Sequence, residues 1–166
     1  MPKPVIAVSR CLLGDRVRYD GTDKRCSELF NIDNSLFEVI PYCPEVSIGL
    51  PVPRLPMRLD KIDTQIFARQ IEDNRIDYTQ KLSDYAECFF SNNKNLAGLV
   101  TKKGSPSCGY KTSKLYENSV LVNENASGIF IARLLELNPQ LAVIDEVDFI
   151  DEISRFSFFN KLIKKP

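Results

Sequence analysis

The chain of 166 residues contains no histidine, and this absence excludes several classes of catalytic and metal site. Ser-His-Asp hydrolysis, thiol activation by histidine, Cys₂His₂ zinc sites and facial-triad iron sites all need an imidazole. Proton transfer must therefore be carried out by Glu, Asp, Lys, Tyr, Ser or Cys side chains.

The sequence also lacks net charge, a long apolar run and an N-terminal signal peptide. Its 22 Lys and Arg residues balance its 22 Asp and Glu residues, so no overall field steers the protein onto nucleic acid or an anionic membrane. No apolar run approaches the ~20 residues that span a bilayer. We therefore expect a soluble cytoplasmic protein, a monomer or weak homodimer, that binds neither nucleic acid nor membrane.

The five cysteines do not follow the spacing of zinc ribbons or of thioredoxin-like redox pairs. Their number is odd, and no two of them form a CxxC pair, which argues against both classes. Structural disulfides are rare in a reducing compartment, and a chain of this length buries enough surface for a core without them. We expect one domain over residues 1–166.

Short apolar runs that alternate with helical patterns predict the fold class. An α/β fold with a mainly parallel open sheet and helices on both faces is typical of this alternation. Five of the ten prolines lie between residues 41 and 56, where they predict a rigid loop. The predicted strands are 5–9, 37–40, 96–100 and 141–144, with an edge strand at 64–68. One helix is predicted to begin at Thr22, and three more are predicted over 78–92, 127–137 and 148–162.

Three cysteines follow predicted strands, at the carboxyl ends where open parallel sheets collect their ligands. Cys11, Cys43 and Cys108 each lie in a loop rich in Gly, Pro, Ser or Arg. Three converging thiols make a candidate Cys₃ site for an iron–sulfur cluster, zinc or Cu(I). Free cysteines that only pack in a core are the alternative, and we expect this of Cys26, whereas Cys88 is expected to be an incidental, partly exposed thiol.

Polar side chains accompany these cysteines. Glu45 stands two residues after Cys43, where its carboxylate can act as an acid or base; a solvated loop carboxylate is the alternative. Ser105 and Ser107 precede Cys108 and can hydrogen-bond a cluster sulfur or a substrate, although Ser-Pro-Ser is also ordinary turn chemistry.

Arginines in the same region complete the candidate substrate contacts. Arg18, Arg54 and Arg58 are predicted to lie in these loops, where a guanidinium can clamp a planar ligand that carries oxygen; a surface ion pair is the alternative. The residues assigned to substrate binding are Ser9, Arg18, Asp20, Arg54 and Ser107.

Five short motifs occur in order along the chain, and together they carry a family resemblance. Over about residues 4–145 the chain resembles the thiouracil desulfurase family. The motifs are Ser9-Arg10-Cys11-Leu12-Leu13-Gly14, Val17-Arg18-Tyr19-Asp20-Gly21, Cys43-Pro44-Glu45, Gly49-Leu50-Pro51 with Pro53-Arg54, and Ser105-Pro106-Ser107-Cys108-Gly109.

The resemblance implies an oxygen-sensitive [4Fe-4S] cluster held by Cys11, Cys43 and Cys108, with one iron open to the sulfur of a thiolated pyrimidine such as 2-thiouracil. It also implies desulfuration without net redox change, with Glu45 as the acidic catalytic residue and Ser105 as the catalytic serine. Two other interpretations remain: a non-catalytic Cys₃ metal or cluster module in sulfur or iron trafficking, and a small-molecule binding domain with ordinary thiols.

Overall fold

The computed structural model describes residues 2–164, which form two four-stranded sheets with five α-helices and two 3₁₀ segments. The 3₁₀ segments are Arg10–Leu13 and Ser27–Asn31. The strands are β1 (Val5–Ser9), β2 (Glu38–Tyr42), β3 (Met57–Ile62), β4 (Gln65–Gln70), β5 (Leu96–Thr101), β6 (Ser113–Glu117), β7 (Val120–Ala126) and β8 (Ala142–Asp145), and the helices are α1 (Pro44–Ser47), α2 (Thr79–Asn92), α3 (Ile129–Leu137), α4 (Glu146–Ile150) and α5 (Glu152–Ile163).

The first sheet is parallel throughout, with the strand order β2-β1-β5-β8. Both inner strands, β1 and β5, are buried at every position, because helices cover both faces of the sheet. Helices α2 and α3 pack on one face around Phe130, and α4 and α5 pack on the other around Phe149 and Phe158. The predicted α/β fold with its parallel sheet is confirmed.

A glycine in β5 allows α5 to approach this sheet closely. A Cβ atom at Gly98 would lie 2.8 Å from the Phe158 ring and 2.9 Å from Leu162, closer than packed carbon atoms tolerate. The sequence predicted one helix over 148–162, but α4 and α5 are separate. Asp151 ends α4 and caps α5, since its carboxylate accepts the Ser154 N–H at 2.8 Å.

The second sheet joins two antiparallel hairpins through one parallel pair, in the order β4-β3-β6-β7. A strand was predicted here only at 64–68, and the alternating or exposed pattern of β3, β6 and β7 gave no continuous apolar run. Arg58 lies on β3 and not in a loop of the candidate site. Its guanidinium and that of Arg69 hold the buried carboxylate of Asp60.

The helix predicted from Thr22 is wrong. Residues around Thr22 form a polar turn, and a 3₁₀ segment begins at Ser27. Cys26 and Leu29 are buried as the apolar spacing suggested, but Phe30 is 50% exposed and lies under the Arg25 guanidinium. Within residues 2–164, no helix combines the length and the apolar character needed to cross a membrane.

Candidate active site

The carboxyl ends of three parallel strands meet at one cavity of about 160 Å³, which is several times the ~30 Å³ that one water molecule occupies. Cys11 follows β1 in a 3₁₀ turn, Cys43 follows β2 directly before α1, and Cys108 lies in the long loop after β5. All three line the cavity. The three cysteines that follow parallel strands in the sequence therefore meet at one cavity.

Burial raises the pKa of all three thiols, although Cys11 and Cys108 are buried and Cys43 is only partly buried. Burial raises the pKa of Cys11, which the nearby Ser9 hydroxyl and Lys102 ammonium offset in part. Burial likewise raises the pKa of the Cys43 thiol, against the Val46 N–H that lowers it. For Cys108 burial raises the pKa to about 12, although a Ser105 hydrogen bond lowers it.

A negative charge on Cys43 would raise the pKa of Cys11, and negative charges on Cys11 and Cys43 would raise the pKa of Cys108, so the three sulfur atoms lie near one another. Thiolates are the form that binds a metal, and a bound cation supplies the charge that offsets burial. Among the residues described, no three Cys, Asp or Glu side chains are grouped closely enough to hold a single metal ion.

Ser105 shapes the loop that carries Cys108. Its Oγ accepts the backbone N–H of Ser107 at 3.2 Å and that of Cys108 at 3.1 Å. Its carbonyl accepts the Ser113 hydroxyl at 2.6 Å and the Gly109 N–H at 2.9 Å. These four hydrogen bonds fix the turn, and Ser105 holds the backbone of a predicted ligand.

Close backbone packing supports the same loop from the start of α3. A Cβ atom at Gly128 would lie 2.4 Å from the carbonyl carbon of Ser107, so only glycine fits there. The Ser107 carbonyl then accepts the Phe130 N–H at 3.0 Å. The loop is therefore anchored to a buried helix on one side and to β6 on the other.

Glu45 occupies the first turn of α1, and both of its carboxylate oxygens are engaged. Oε1 accepts the Arg54 Nε–H at 3.2 Å, and Oε2 accepts the Ser107 hydroxyl at 3.0 Å. The side chains of Arg54 and Glu45 are only 6% and 15% exposed. Arg54 is itself held by the proline-rich loop, through the Pro51 carbonyl at 3.2 Å.

Two hydroxyls connect this carboxylate with the cysteine loop. Ser107 Oγ lies 3.0 Å from Ser105 Oγ and 3.0 Å from Glu45 Oε2. Ser105, Ser107 and Glu45 therefore form a continuous row of oxygen atoms along which a proton can move.

Of the residues assigned to substrate binding, Ser9, Arg18, Arg54 and Ser107 line the cavity. Asp20 does not. Its carboxylate accepts the hydroxyl and N–H of Thr22, which lower its pKa, and lies 3.7 Å from the Arg18 guanidinium. Asp20 thus contacts Arg18 from outside the cavity.

Sequence reasoning missed Lys102, the first residue after β5, which also lines the cavity. Its ammonium binds the carboxylate of Glu146, 44 residues later at the start of α4. The only sequence signal for Lys102 is its position directly after a buried strand. Its pairing with Glu146 could not be predicted, because no local sequence pattern relates the two residues. Cys26, in contrast, lies in the core, and Cys88 is exposed on α2, as predicted.

Comparisons with known proteins identify a family and a similar solved structure. A family model described as 2-thiouracil desulfurase matches residues 6–146. Among solved structures, the chain is similar to a [4Fe-4S]-dependent thiouracil desulfidase, TudS, with 28% identity and a TM-score of 0.70. That similarity covers 93% of this chain and 99% of the other. No curated protein matches the chain significantly.

Proposed function

Because the chain belongs to the 2-thiouracil desulfurase family, we propose that it removes sulfur from a thiolated pyrimidine such as 2-thiouracil, with a [4Fe-4S] cluster as cofactor, and that residues 1–166 work as one domain. The observation that carries the proposal is the convergence of Cys11, Cys43 and Cys108 on one cavity beside an engaged carboxylate. The cofactor is the one that the similar structure's name specifies.

The donor set fits this cluster. Its metal-binding atoms are three thiols without an imidazole, and soft thiolates favour iron–sulfur clusters over hard cations. Cys11, Cys43 and Cys108 line one cavity and would hold the cluster. When bound by three cysteines, the cluster supplies one iron that can coordinate a substrate sulfur and polarise its bond to carbon.

The overall reaction is a hydrolysis. A thione carbon and water give a carbonyl carbon and hydrogen sulfide, so oxygen comes from water, sulfur leaves as sulfide, and no electrons are gained or lost. The chain must therefore bring a water molecule to the carbon atom and manage two protons. It needs no electron donor.

Glu45 is proposed as the residue that moves these protons. Arg54 fixes Oε1 and orients the carboxylate, while Oε2 faces the hydroxyl of Ser107. In this position Oε2 can take a proton from the attacking water and return it to the departing sulfur. Ser105 is proposed as the second catalytic residue, because its hydroxyl reaches Oε2 through Ser107.

Substrate contacts are proposed for the remaining lining residues. Ser9, Arg18, Arg54 and Ser107 present polar groups around the cavity, and a guanidinium is suited to a planar ring carbonyl. Asp20 is proposed to act through Arg18, which it contacts from outside the cavity.

The test is anaerobic purification followed by turnover without added reductant. We expect about four iron and four acid-labile sulfide per chain, and formation of uracil and sulfide in equal amounts from 2-thiouracil. A protein that holds the full cluster but forms no uracil would support the alternative of a non-catalytic cluster module. A protein that binds only zinc would overturn the cofactor assignment.

A further inference from the structure

One ion pair at the edge of the cavity has no part in the reaction proposed above. Lys102 lines the cavity, whereas its partner Glu146 does not. The two side chains are 21% and 14% exposed, so the pair is largely shielded from water.

Glu146 fixes the position of Lys102 from behind. One carboxylate oxygen binds the Lys102 ammonium, and the other accepts the backbone N–H of Lys103 at 2.7 Å. Lys102 follows β5 and Glu146 follows β8, and these strands are parallel neighbours. The ammonium is therefore held at the same edge of the sheet as the three cysteines.

Lys102 keeps a hydrogen-bond donor for a ligand. An ammonium has three N–H groups, and two of them are used by Glu146 and by the Lys103 carbonyl at 2.9 Å. The described lining contains four cationic side chains, those of Arg18, Arg54, Lys102 and Lys103, and a single carboxylate, that of Glu45. Because Arg18, Arg54 and Lys102 each lie beside a carboxylate, the feature that favours an anionic ligand is the remaining N–H of the fixed Lys102 ammonium.

We propose that Lys102 binds the anionic form of the thiolated substrate and that Glu146 is its positioning residue. This inference rests on the proposed function and specifies its substrate class. 2-Thiouracil is a weak acid whose anion shares its charge among sulfur, nitrogen and oxygen, whereas uracil is a weaker acid. A fixed ammonium in a shielded cavity binds the anion more strongly than the neutral ring, and releases the neutral product more readily.

The experiment compares kcat/KM for 2-thiouracil in the wild type and in Lys102→Met, with clusters loaded, across the ionisation range of the substrate. We expect equal values where the substrate is neutral and a deficit of about 10- to 100-fold in the variant where the substrate is ionised. Inhibition by uracil at neutral pH should be unchanged. Because the Lys102 ammonium also acts on the Cys11 thiol, iron content is measured in each variant and rates are compared per loaded cluster.

Companion variants separate this role from a structural one. Lys102→Arg should restore the wild-type pH profile, and Glu146→Gln should show a smaller deficit of the same pH dependence. Lys114→Met, which removes an exposed lysine of β6, is the matched control and should behave as the wild type. If Lys102→Met folds poorly because Glu146 loses its partner, the double variant with Glu146→Gln replaces it.

A deficit that is the same at every pH, or an equal loss of uracil affinity, would overturn the proposal. If the wild type does not desulfurate 2-thiouracil, the proposed function fails. Equilibrium dialysis of 2-thiouracil against the same loaded proteins then decides the role of Lys102. The proposal requires that Lys102→Met weakens binding of the 2-thiouracil anion and leaves binding of the neutral form unchanged.

Discussion

The two sheets differ in burial, in direction and in their relation to the cavity. The parallel sheet has two fully buried strands, and Cys11, Cys43 and Cys108 all follow its strands. The second sheet consists of two hairpins, and β7 is exposed at six of its seven positions. Parallel strands end at one edge, so residues distant in the chain meet there, whereas hairpins distribute their turns over both edges. The candidate site is therefore built on the parallel sheet.

The largest effect is expected from the cysteines. Replacing Cys11, Cys43 or Cys108 with Ser should abolish cluster retention, because each thiol lines the cavity. Cys26→Ser and Cys88→Ser are matched controls that should keep the full iron content, since these cysteines lie in the core and on an exposed helix face. Iron and acid-labile sulfide per chain are the measurement. If Cys26→Ser or Cys88→Ser lost iron, the assignment of the ligands to the strand ends of the parallel sheet would be wrong.

The second largest effect is expected at Glu45. Glu45→Gln keeps the size of the side chain and a carbonyl oxygen that can face Ser107, but cannot exchange protons near neutral pH. We expect a full cluster and a loss of about 10²- to 10⁴-fold in single-turnover rate. A variant that loses its cluster and its stability together would show that Glu45 has a structural role. Glu72→Gln, at an exposed loop position, is the control.

The sequence predicted the parallel sheet well because its inner strands are continuous apolar runs. Val5–Ser9 and Leu96–Thr101 are bounded by polar turns and buried throughout. Cys11 and Cys108 were predicted as ligands because they follow these two strands, and Cys43 because it follows β2. The second sheet could not be predicted in the same way, since the apolar side chains Val120, Leu121 and Val122 of β7 face solvent and carry no burial pattern.

The site was predicted where a residue lies close in sequence to a strand end, and missed where a distant partner places it. Ser9 at the end of β1 and the loop residues Arg54 and Ser107 line the cavity, as assigned. Asp20 was assigned with them, but its local turn with Thr22 keeps it outside. The contact between Lys102 and Glu146 depends on the neighbouring positions of β5 and β8, which no local spacing contains.

The two sheets should also differ in how much a single side chain contributes to folding. Phe130 is fully buried against the parallel sheet and stacks on Tyr42 and Tyr85 at centroid distances of 5.4 and 5.2 Å. Phe130→Ala should lower the free energy of unfolding by about 3–5 kcal/mol. Val122→Ala on the exposed β7 should change it by less than about 0.5 kcal/mol. Urea titration of the two variants measures the two changes in the free energy of unfolding. Equal losses would contradict the expected difference between the two sheets.

A smaller effect than that of Phe130→Ala is expected where the second sheet reaches the cavity loop, at Ser113, the first residue of β6. Its buried hydroxyl donates to the Ser105 carbonyl at 2.6 Å. Ser113→Ala removes this bond, but the same carbonyl still accepts the Gly109 N–H at 2.9 Å. No acceptor is left unpaired, so the loss of stability should be only about 0.5–1.5 kcal/mol.

Iron content should be retained in Ser113→Ala, because the Ser105 hydroxyl still holds the Cys108 N–H. Ser119→Ala, in the turn of the same hairpin, loses a hydrogen bond from Arg58 and is the control outside the cavity. Loss of iron in Ser113→Ala alone would show that the second sheet takes part in holding the cluster, and the two sheets would then share the site.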